Sequence, residues 1–551
     1  MAEPPSLQRN QACASCRRRR IKCDARRPIC GPCETSSRAD DCEYLDNQSR
    51  SKADILEEDI SRLEDRIYEL EHPAAATSET VYLYDPYRQP QRRSQTPSLP
   101  QALHSSGPPS PEPASIVDSW WNSPEPPRNM VENFLDTFIP YASDWGFFLD
   151  ISRFRREVLL SYPIGHHSRP TPPLLTAVYL IGLSLSDSAA LKMHEKEFLS
   201  RALTSLPVSL SGLHPRKAIH ALQTEILLSN YFYASGRFLE GRYHTTAAAS
   251  LALSGGLFNV DRSAPSLIAD TDTSEDADRI DACWATIILD KSWAVALATF
   301  PNLPDSAEML AMPWPDDATA SSSTPSTVSQ YLESTETPTA ILSPKTLLAK
   351  AVVLWERANS LVIRWNQDMT QGQAQQFSDS FAKIDSQIDD LFSQADSASN
   401  SANVHRLVLA GLSIAHAAIV QLHGTFAQTK PESKKKCLAA AKAILELTME
   451  VDPHDSRFIN PILSVRALPK TSELLPTHLL QMVWVAACEI FIDEIAVLRA
   501  ARPAWAHDTP SSAEAAFVDV FDRAFAVMSR FGSWQLMKTH LGKVEKAYSA
   551  V

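Results

Sequence analysis

Apolar residues recur every three to four positions along most of the chain after Met130, the spacing of helices with one buried face. The pattern predicts helices over Leu174–Leu185, Glu195–Leu206, Arg216–Tyr233, Gly236–Leu253 and Asp276–Phe300. It resumes over Thr346–Trp365, Phe377–Phe392, His405–Phe426, Lys434–Met449, Leu475–Ala501, Ala513–Phe531 and Trp534–Tyr548. Between the two sets, residues 318–344 are rich in Ser and Thr and read as a loop. Pro163, Pro170 and Pro207 mark further breaks. With 15 Gly against 38 Pro, the composition suits helices separated by proline breaks better than sheets with tight turns. The expected fold class is all-α, with segments 128–317 and 345–551 packing as one large helical body. No run approaches eighteen consecutive apolar residues, so no membrane-spanning helix and no membrane partner are expected.

A tighter period precedes this body. Leu56, Ile60, Leu63, Ile67 and Leu70 follow each other at alternating steps of four and three, and His72-Pro73 ends the run. Isoleucine at a and leucine at d favour a parallel two-stranded coiled coil, so these five side chains are the expected dimerisation seam within a 46–72 linker and helix. Arg66 meets Glu71 across such a dimer, whereas Asp59 faces Glu64, which leaves room for a heterodimer partner as well as a homodimer. So short a coiled coil is marginal alone, and the plainer alternative is an amphipathic helix packed on another domain. Residues 73–127, rich in Pro, Ser, Gln and Thr, read as a disordered linker. The Ile116–Trp121 patch within it either serves as an activation-type segment or docks onto the domain that follows.

Charge changes the picture. The chain carries −13 overall, yet residues 1–38 hold nine Arg/Lys (Arg9, Arg17, Arg18, Arg19, Arg20, Lys22, Arg26, Arg27, Arg38) against Glu3, Asp24 and Glu34, which is +6 locally and −19 beyond. A basic head on an acidic body is the footprint of local phosphate binding. In the same head lie six of the nine cysteines, Cys13, Cys16, Cys23, Cys30, Cys33 and Cys42, spaced C-x2-C-x6-C-x6-C-x2-C-x8-C. Tetrahedral Zn²⁺ takes four thiolates at about 2.3 Å. Two ions need eight ligand positions, so two sulfurs must bridge. The internal repeat makes Cys13 and Cys30 the natural bridges, with Cys16 and Cys23 completing one site and Cys33 and Cys42 the other. A disulfide framework would require an oxidising compartment, and Met-Ala-Glu-Pro-Pro shows no apolar secretory core. Cys283, Cys437 and Cys488 are isolated and read as buried core thiols.

These residues resemble the fungal binuclear zinc-cluster (Zn₂Cys₆) transcription regulators: six cysteines, the run Arg17-Arg18-Arg19-Arg20-Ile21-Lys22, Asp24 and Pro28. A longer stretch is similar to the helical regulatory region of fungal transcription factors. It runs from Leu222–Tyr231 through Gly236–His244 to Leu257, includes Ala282–Trp284 and Leu289–Lys291, and closes at Pro313–Pro315. The resemblance implies a 10–45 DNA-binding head with two structural Zn²⁺, in which the end of the first helix enters the major groove. The residue three before the third cysteine then reads a CGG triplet. That position is Arg20, where many relatives have lysine, and arginine can grip guanine O6 and N7 bidentately. Arg17, Arg18 and Arg19 are expected to make phosphate or mixed contacts, and Lys22 is a further expected DNA-binding residue. The resemblance further implies a nuclear, sequence-specific regulator of RNA polymerase II genes. Its partners would be double-stranded DNA and the transcription machinery or co-regulators. The RRRRIK run could double as an import signal.

No GxGxxG, GxxxxGK[ST], HExxH or GxSxG occurs, so no enzymatic activity is expected. His166-His167 reads as a surface pair, and His214, His220 and His244 as satisfied core or helix-surface residues. Arg237, Arg242 and Asp290 suggest a buried ion network or an effector pocket. Tyr231, Phe232, Tyr233, Trp284 and Trp293 read as core, an effector cavity being the alternative. The competing class is a zinc- or redox-responsive sensor whose cysteines are not a DNA module. A salt-sensitive DNA interaction accompanying metal binding separates the two.

Overall fold

The computed structural model describes residues 12–36, 42 and 44, then 120–551 apart from 259–272, 316–326, 334–341, 367, 396–404, 452–459, 465–482, 503–509 and 532–534. The chain divides into two units at Ser110/Pro111. The first contains two short helices, α1 (Ala14–Arg18) and α2 (Gly31–Thr35). Its core is sulfur: Cys13, Cys16, Cys23, Cys30 and Cys33 are buried, with Ala12, Ile29, Cys42 and Tyr44 at their margin. So few apolar carbons cannot offset the entropy of ordering the chain.

The second unit is helical throughout. Its first set is α3 (Arg128–Phe138), α4 (Ile151–Val158), α5 (Pro172–Ser184), α6 (Ala189–Lys192), α7 (Glu195–Ser205), α8 (Lys217–Ala234), α9 (Phe238–Ser254) and α10 (Thr273–Ala296). Two short turns, α11 (Ala307–Leu310) and α12 (Val328–Glu333), lead to α13 (Pro344–Ile363), α14 (Gln371–Ala395), α15 (His405–Gly424) and α16 (Pro431–Met449). The chain closes with α17 (Pro461–Ser464), α18 (Val483–Ala500), α19 (Ser512–Arg530) and α20 (Gln535–Ser549). Among the described residues there is no strand; one isolated bridge joins Pro313 and Thr327. One continuous apolar core runs from Val131 to Val544, so the two sets form a single body. The α13–α15 pair is its most extensive helix packing, with α16 against α15 and α18 against α16. The heptad Leu56–Leu70 lies outside the described residues.

Local chemistry sets the helix ends. Pro172, Pro344 and Pro431 open α5, α13 and α16, where a missing N–H removes no bond. Asp150, Ser343 and Ser511 accept the N–H of Arg153, Thr346 and Glu514 as N-caps. Helices α13, α14 and α16 begin earlier than the expected Thr346, Phe377 and Lys434, because their polar first turns carry no apolar period. Gly236, at φ 74°, closes α8 rather than opening α9: Arg237 N–H reaches Phe232 O at 2.8 Å and Gly236 N–H reaches Tyr233 O at 3.0 Å. Helix α10 stops at Ala296, short of the expected Phe300. Ala298 turns left-handed at φ 50°, with Thr299 N–H on Ala294 O at 2.9 Å.

Beyond that turn the chain folds back onto two buried charges. Asp290, fully buried, accepts from Asn302 Nδ2 (2.7 Å), Leu303 N–H (2.8 Å) and Arg242 (3.4 Å). Lys291 reaches Asp305 at 2.8 Å and Glu356 of α13 at 3.4 Å. Of the expected trio, Arg242 and Asp290 do pair, whereas Arg237 bonds Glu240 at the surface. The Trp120–Trp121 end of the Ile116–Trp121 patch packs on the body: Trp121 stacks on His194 at 4.3 Å, and Trp120 lies 6.1 Å from both Phe134 and Phe198. Residues 406–424 of α15 are long and apolar enough to cross a bilayer, yet they form a mostly buried helix between α13 and α16.

Two histidines make the body acid-sensitive, His220 buried and His416 half-buried with its Nδ1 shut off from solvent. His416 stacks on Phe392 at 4.2 Å, and burial holds its pKa down to about 4. Burial likewise holds His220 well below the usual range. A depressed histidine is neutral in the fold but protonated in the unfolded chain. Stability is therefore full above about pH 6.5 and falls as the pH drops towards 4, by up to about 3 kcal/mol for His416. Urea midpoints of the helical signal at pH 7 and 4.5 should differ less in His416→Phe than in the parent; an identical difference would remove His416 from the account.

Candidate metal centre and nucleic-acid interface

Helix α1 starts on Cys13, whose Sγ accepts Cys16 N–H at 3.4 Å, and α2 starts on Cys30. Each CxxC turn thus delivers two sulfurs from the first turn of a helix. Cys13 lies 3.7 Å from Cys30 and from Cys33, and Cys16 lies 3.6 Å from Cys30 and 3.8 Å from Cys33, sulfur to sulfur. Four thiolates around one zinc at about 2.3 Å stand roughly 3.8 Å apart. The Cys13–Cys30, Cys13–Cys33 and Cys16–Cys30 distances fit that spacing, while Cys16–Cys33 is an equally short contact between sulfurs of different groups. Two groups of sulfurs lie within 4.8 Å of one another: Cys13, Cys16, Cys23 and Cys30, and Cys13, Cys30, Cys33 and Cys42. Cys13 and Cys30 belong to both.

Cys13 and Cys16 resist ionising without a cation, whereas at Cys33 burial is outweighed by hydrogen bonds from Cys30 and Ser15, which hold its thiol below the ordinary range. Burial pushes Cys16 up to about 12 and Cys13 further still. A divalent ion reverses that balance, because it binds the thiolate and releases the proton. Backbone N–H groups also aim at the sulfurs, Ala25 at Cys23 (3.4 Å) and Cys30 at Cys42 (3.2 Å), which steadies charge on them.

Around the sulfurs the fold is held by Asp24, which the sequence pattern included, and by Gly31 and Tyr44, which it did not single out. Both carboxylate oxygens of Asp24 lie 3.1 Å from Gly31 N–H. A Cβ at Gly31 would meet Asp24 Oδ2 at 2.7 Å, so any larger residue there would push the carboxylate off the Gly31 N–H. Tyr44 donates to Arg26 O at 2.7 Å, while its hydroxyl sits 3.8 Å from Cys23 Sγ and Arg27 lies over its ring. A lone tyrosine beyond the sixth cysteine gives no periodic or spacing signal by which to find it.

The basic run leaves α1 at its C-terminal end. Arg17, Arg18, Arg19, Arg20, Ile21 and Lys22 are all exposed. The helix is closed by a Schellman turn: Ile21 N–H bonds Cys16 O at 3.1 Å and Arg20 N–H bonds Arg17 O at 3.2 Å. Arg20 takes the left-handed position at φ 52°, where glycine is the usual occupant. Arg19 is partly committed, donating to Ser36 at 3.0 Å and so tying α1 to α2. Arg17 bonds Ala12 O at 3.3 Å.

Elsewhere the histidines have protein partners. His214 meets Arg169 O at 2.8 Å, His220 accepts Thr171 N–H at 3.3 Å and His244 meets Glu225 at 2.6 Å. His166 stacks between Tyr162 and His167. Ser433, His423 and Asp385 form a chain with both gaps at 3.1 Å, but Ser433 lies on Nδ1 and Asp385 on Nε2. A hydrolase triad has the opposite order, and Lys436 neutralises Asp385 at 2.7 Å. The chain of bonds joins α14, α15 and α16.

Residues 11–52 match the model of the fungal Zn(2)-Cys(6) binuclear cluster domain. The head is therefore a binuclear zinc-cluster domain that holds two zinc ions. Among curated proteins the chain is similar to the notoamide biosynthesis cluster transcriptional coactivator notQ' of Aspergillus versicolor, 26% identical over 314 residues. The alignment covers 54% of this chain and 55% of that relative, so the chain spans about half the relative's length. No solved structure matches.

Proposed function

We propose that this chain is a zinc-dependent, sequence-specific DNA-binding regulator of RNA polymerase II transcription, acting in the nucleus. The observation that carries this reading is the exposed Arg17–Lys22 run at the open end of α1, beside the sulfur cluster. A metal store has no use for such a fringe of cations. In this reading Cys13 and Cys30 bridge the two zincs, and the other four cysteines complete the sites. Arg17, Arg18 and Lys22 neutralise phosphates, Arg19 does so in part, and Arg20 reads guanine in a CGG-type half-site. Leu56, Ile60, Leu63, Ile67 and Leu70 pair two chains so that both heads engage one site. The relative's name, a transcriptional coactivator, supports the regulatory role. Selection of random duplexes by the full-length zinc-loaded protein tests the reading: enrichment of paired CGG-type triplets at fixed spacing is expected, and enrichment of no sequence would sink it.

Arg20 offers a sharper test, because its backbone and side chain pull in opposite directions. Holding a non-glycine residue left-handed costs roughly 1 kcal/mol. Arg20→Gly should therefore leave the head as stable or more so, while losing about 1–3 kcal/mol of discrimination for guanine. Arg18→Ala should instead lower affinity on all sequences and reduce the salt slope by about one. Competition binding at two salt concentrations separates these outcomes; unchanged sequence preference in Arg20→Gly would move base reading to another residue.

A further inference from the structure

Protein interiors pack about as densely as organic crystals, so a cavity where many helices meet invites an occupant. The body holds one of about 100 Å³. Its walls include Phe148, Trp284, Ile288 and Trp293 on one side, and Leu348 of α13 and Ile414 of α15 on the other. It thus joins helices from before and after the 316–341 stretch. Both indoles are backed by a stacked ring, Trp293 by Tyr233 at 3.6 Å and Trp284 by Trp314 at 4.9 Å, so the aromatic walls are rigid before anything binds.

The polar lining narrows the chemistry. Asp144 and Asp281 border the space, but Arg406 lies 3.0 Å from the first and Lys345 2.7 Å from the second, so neither carboxylate is uncompensated. A charged ligand would lose its hydration with nothing in return. Ser292 donates its proton to Ile288 O at 2.5 Å and keeps oxygen lone pairs that can accept. The cavity is smaller than the engineered apolar cavities of about 150 Å³ that bind benzene, so it admits an occupant no larger than a single ring.

We propose that this cavity binds an uncharged single-ring aromatic molecule bearing one hydroxyl group, the ring between Trp284 and Leu348 and the hydroxyl donating to Ser292. Occupancy ties the two sets of helices together, which gives the body a ligand-dependent stability independent of the zinc head's DNA reading.

The test uses the full zinc-loaded chain and 4-fluorophenol, followed by ¹⁹F NMR and thermal unfolding. Saturable broadening and a rise in Tm are expected; absence of saturable binding overturns the proposal. Ala285→Phe, which fills the cavity, should abolish binding while retaining helical circular dichroism and a cooperative melt; equal binding by that folded variant also overturns it. Should Ala285→Phe fail to fold, Leu348→Ala decides: the enlarged cavity should bind with affinity altered several-fold, and unchanged affinity places the probe elsewhere. Ser292→Ala should erase the preference for 4-fluorophenol over fluorobenzene, and a retained preference removes Ser292 as the hydroxyl's acceptor.

Discussion

Cys30→Ser is expected to strip both zinc ions from the head and, with them, all specific DNA binding. Cys30 belongs to both sulfur groups, 3.7 Å from Cys13 and 3.6 Å from Cys16. Its loss leaves each ion three sulfurs, and serine is a poor bridge between two soft sites. Structural zinc supplies about 10–16 kcal/mol of folding free energy in comparable small units, and among the described residues of this head the core is sulfur. Cys42→Ser makes the contrast, because Cys42 belongs to one group and is only partly buried. It should weaken one ion and leave the other. Zinc content per chain, measured beside the anisotropy of a CGG-containing duplex, reads both. Two zincs retained by Cys30→Ser would refute the bridging assignment; tight specific binding without zinc would refute the zinc-dependent head.

Asp290→Ala should be among the most damaging single changes in the body, costing about 3–5 kcal/mol as the loss of one partner from a buried charge network. The substitution would leave Arg242, the Asn302 amide and the Leu303 N–H without their common acceptor. It would also release the turn that delivers Asp305 to buried Lys291. Against a total stability of about 5–15 kcal/mol, this is a large share. Replacing both ends with apolar residues, Asp290→Leu with Arg242→Met, should recover part of the loss, since no lone charge remains. Denaturant midpoints of the two variants against the parent decide; a loss below about 1 kcal/mol in Asp290→Ala would mean that the network does not hold the turn.

Much of the helical layout was legible because amphipathic periodicity reports a buried face directly. Glu195–Leu206 was expected and Glu195–Ser205 is observed. Helix α8 was found from its apolar content, but not its setting. From Ile219 to Ala234 it is buried on every side. Its polar residues have partners far away in sequence: Gln223 accepts from Phe148 N–H, and Asn230 donates to Trp145 O. No local pattern can say that a glutamine will find its donor some seventy residues upstream.

The head divides along the same line. Chain order alone determined the six cysteines, their spacing in two repeats and the concentration of positive charge, because a CxxC turn brings its sulfurs together through a few covalent bonds. Tertiary structure decided that Asp24 closes over Gly31, that Tyr44 reaches back to Cys23, and that Arg20 sits left-handed at the end of α1 while Arg19 is drawn to Ser36. In the body it also decided that Trp284 and Trp293 line an open cavity rather than closing it. Spacing along a chain limits which residues can approach one another. Which of them meet, and at what distance, depends on how helices from distant segments pack, and that is a property of the whole fold.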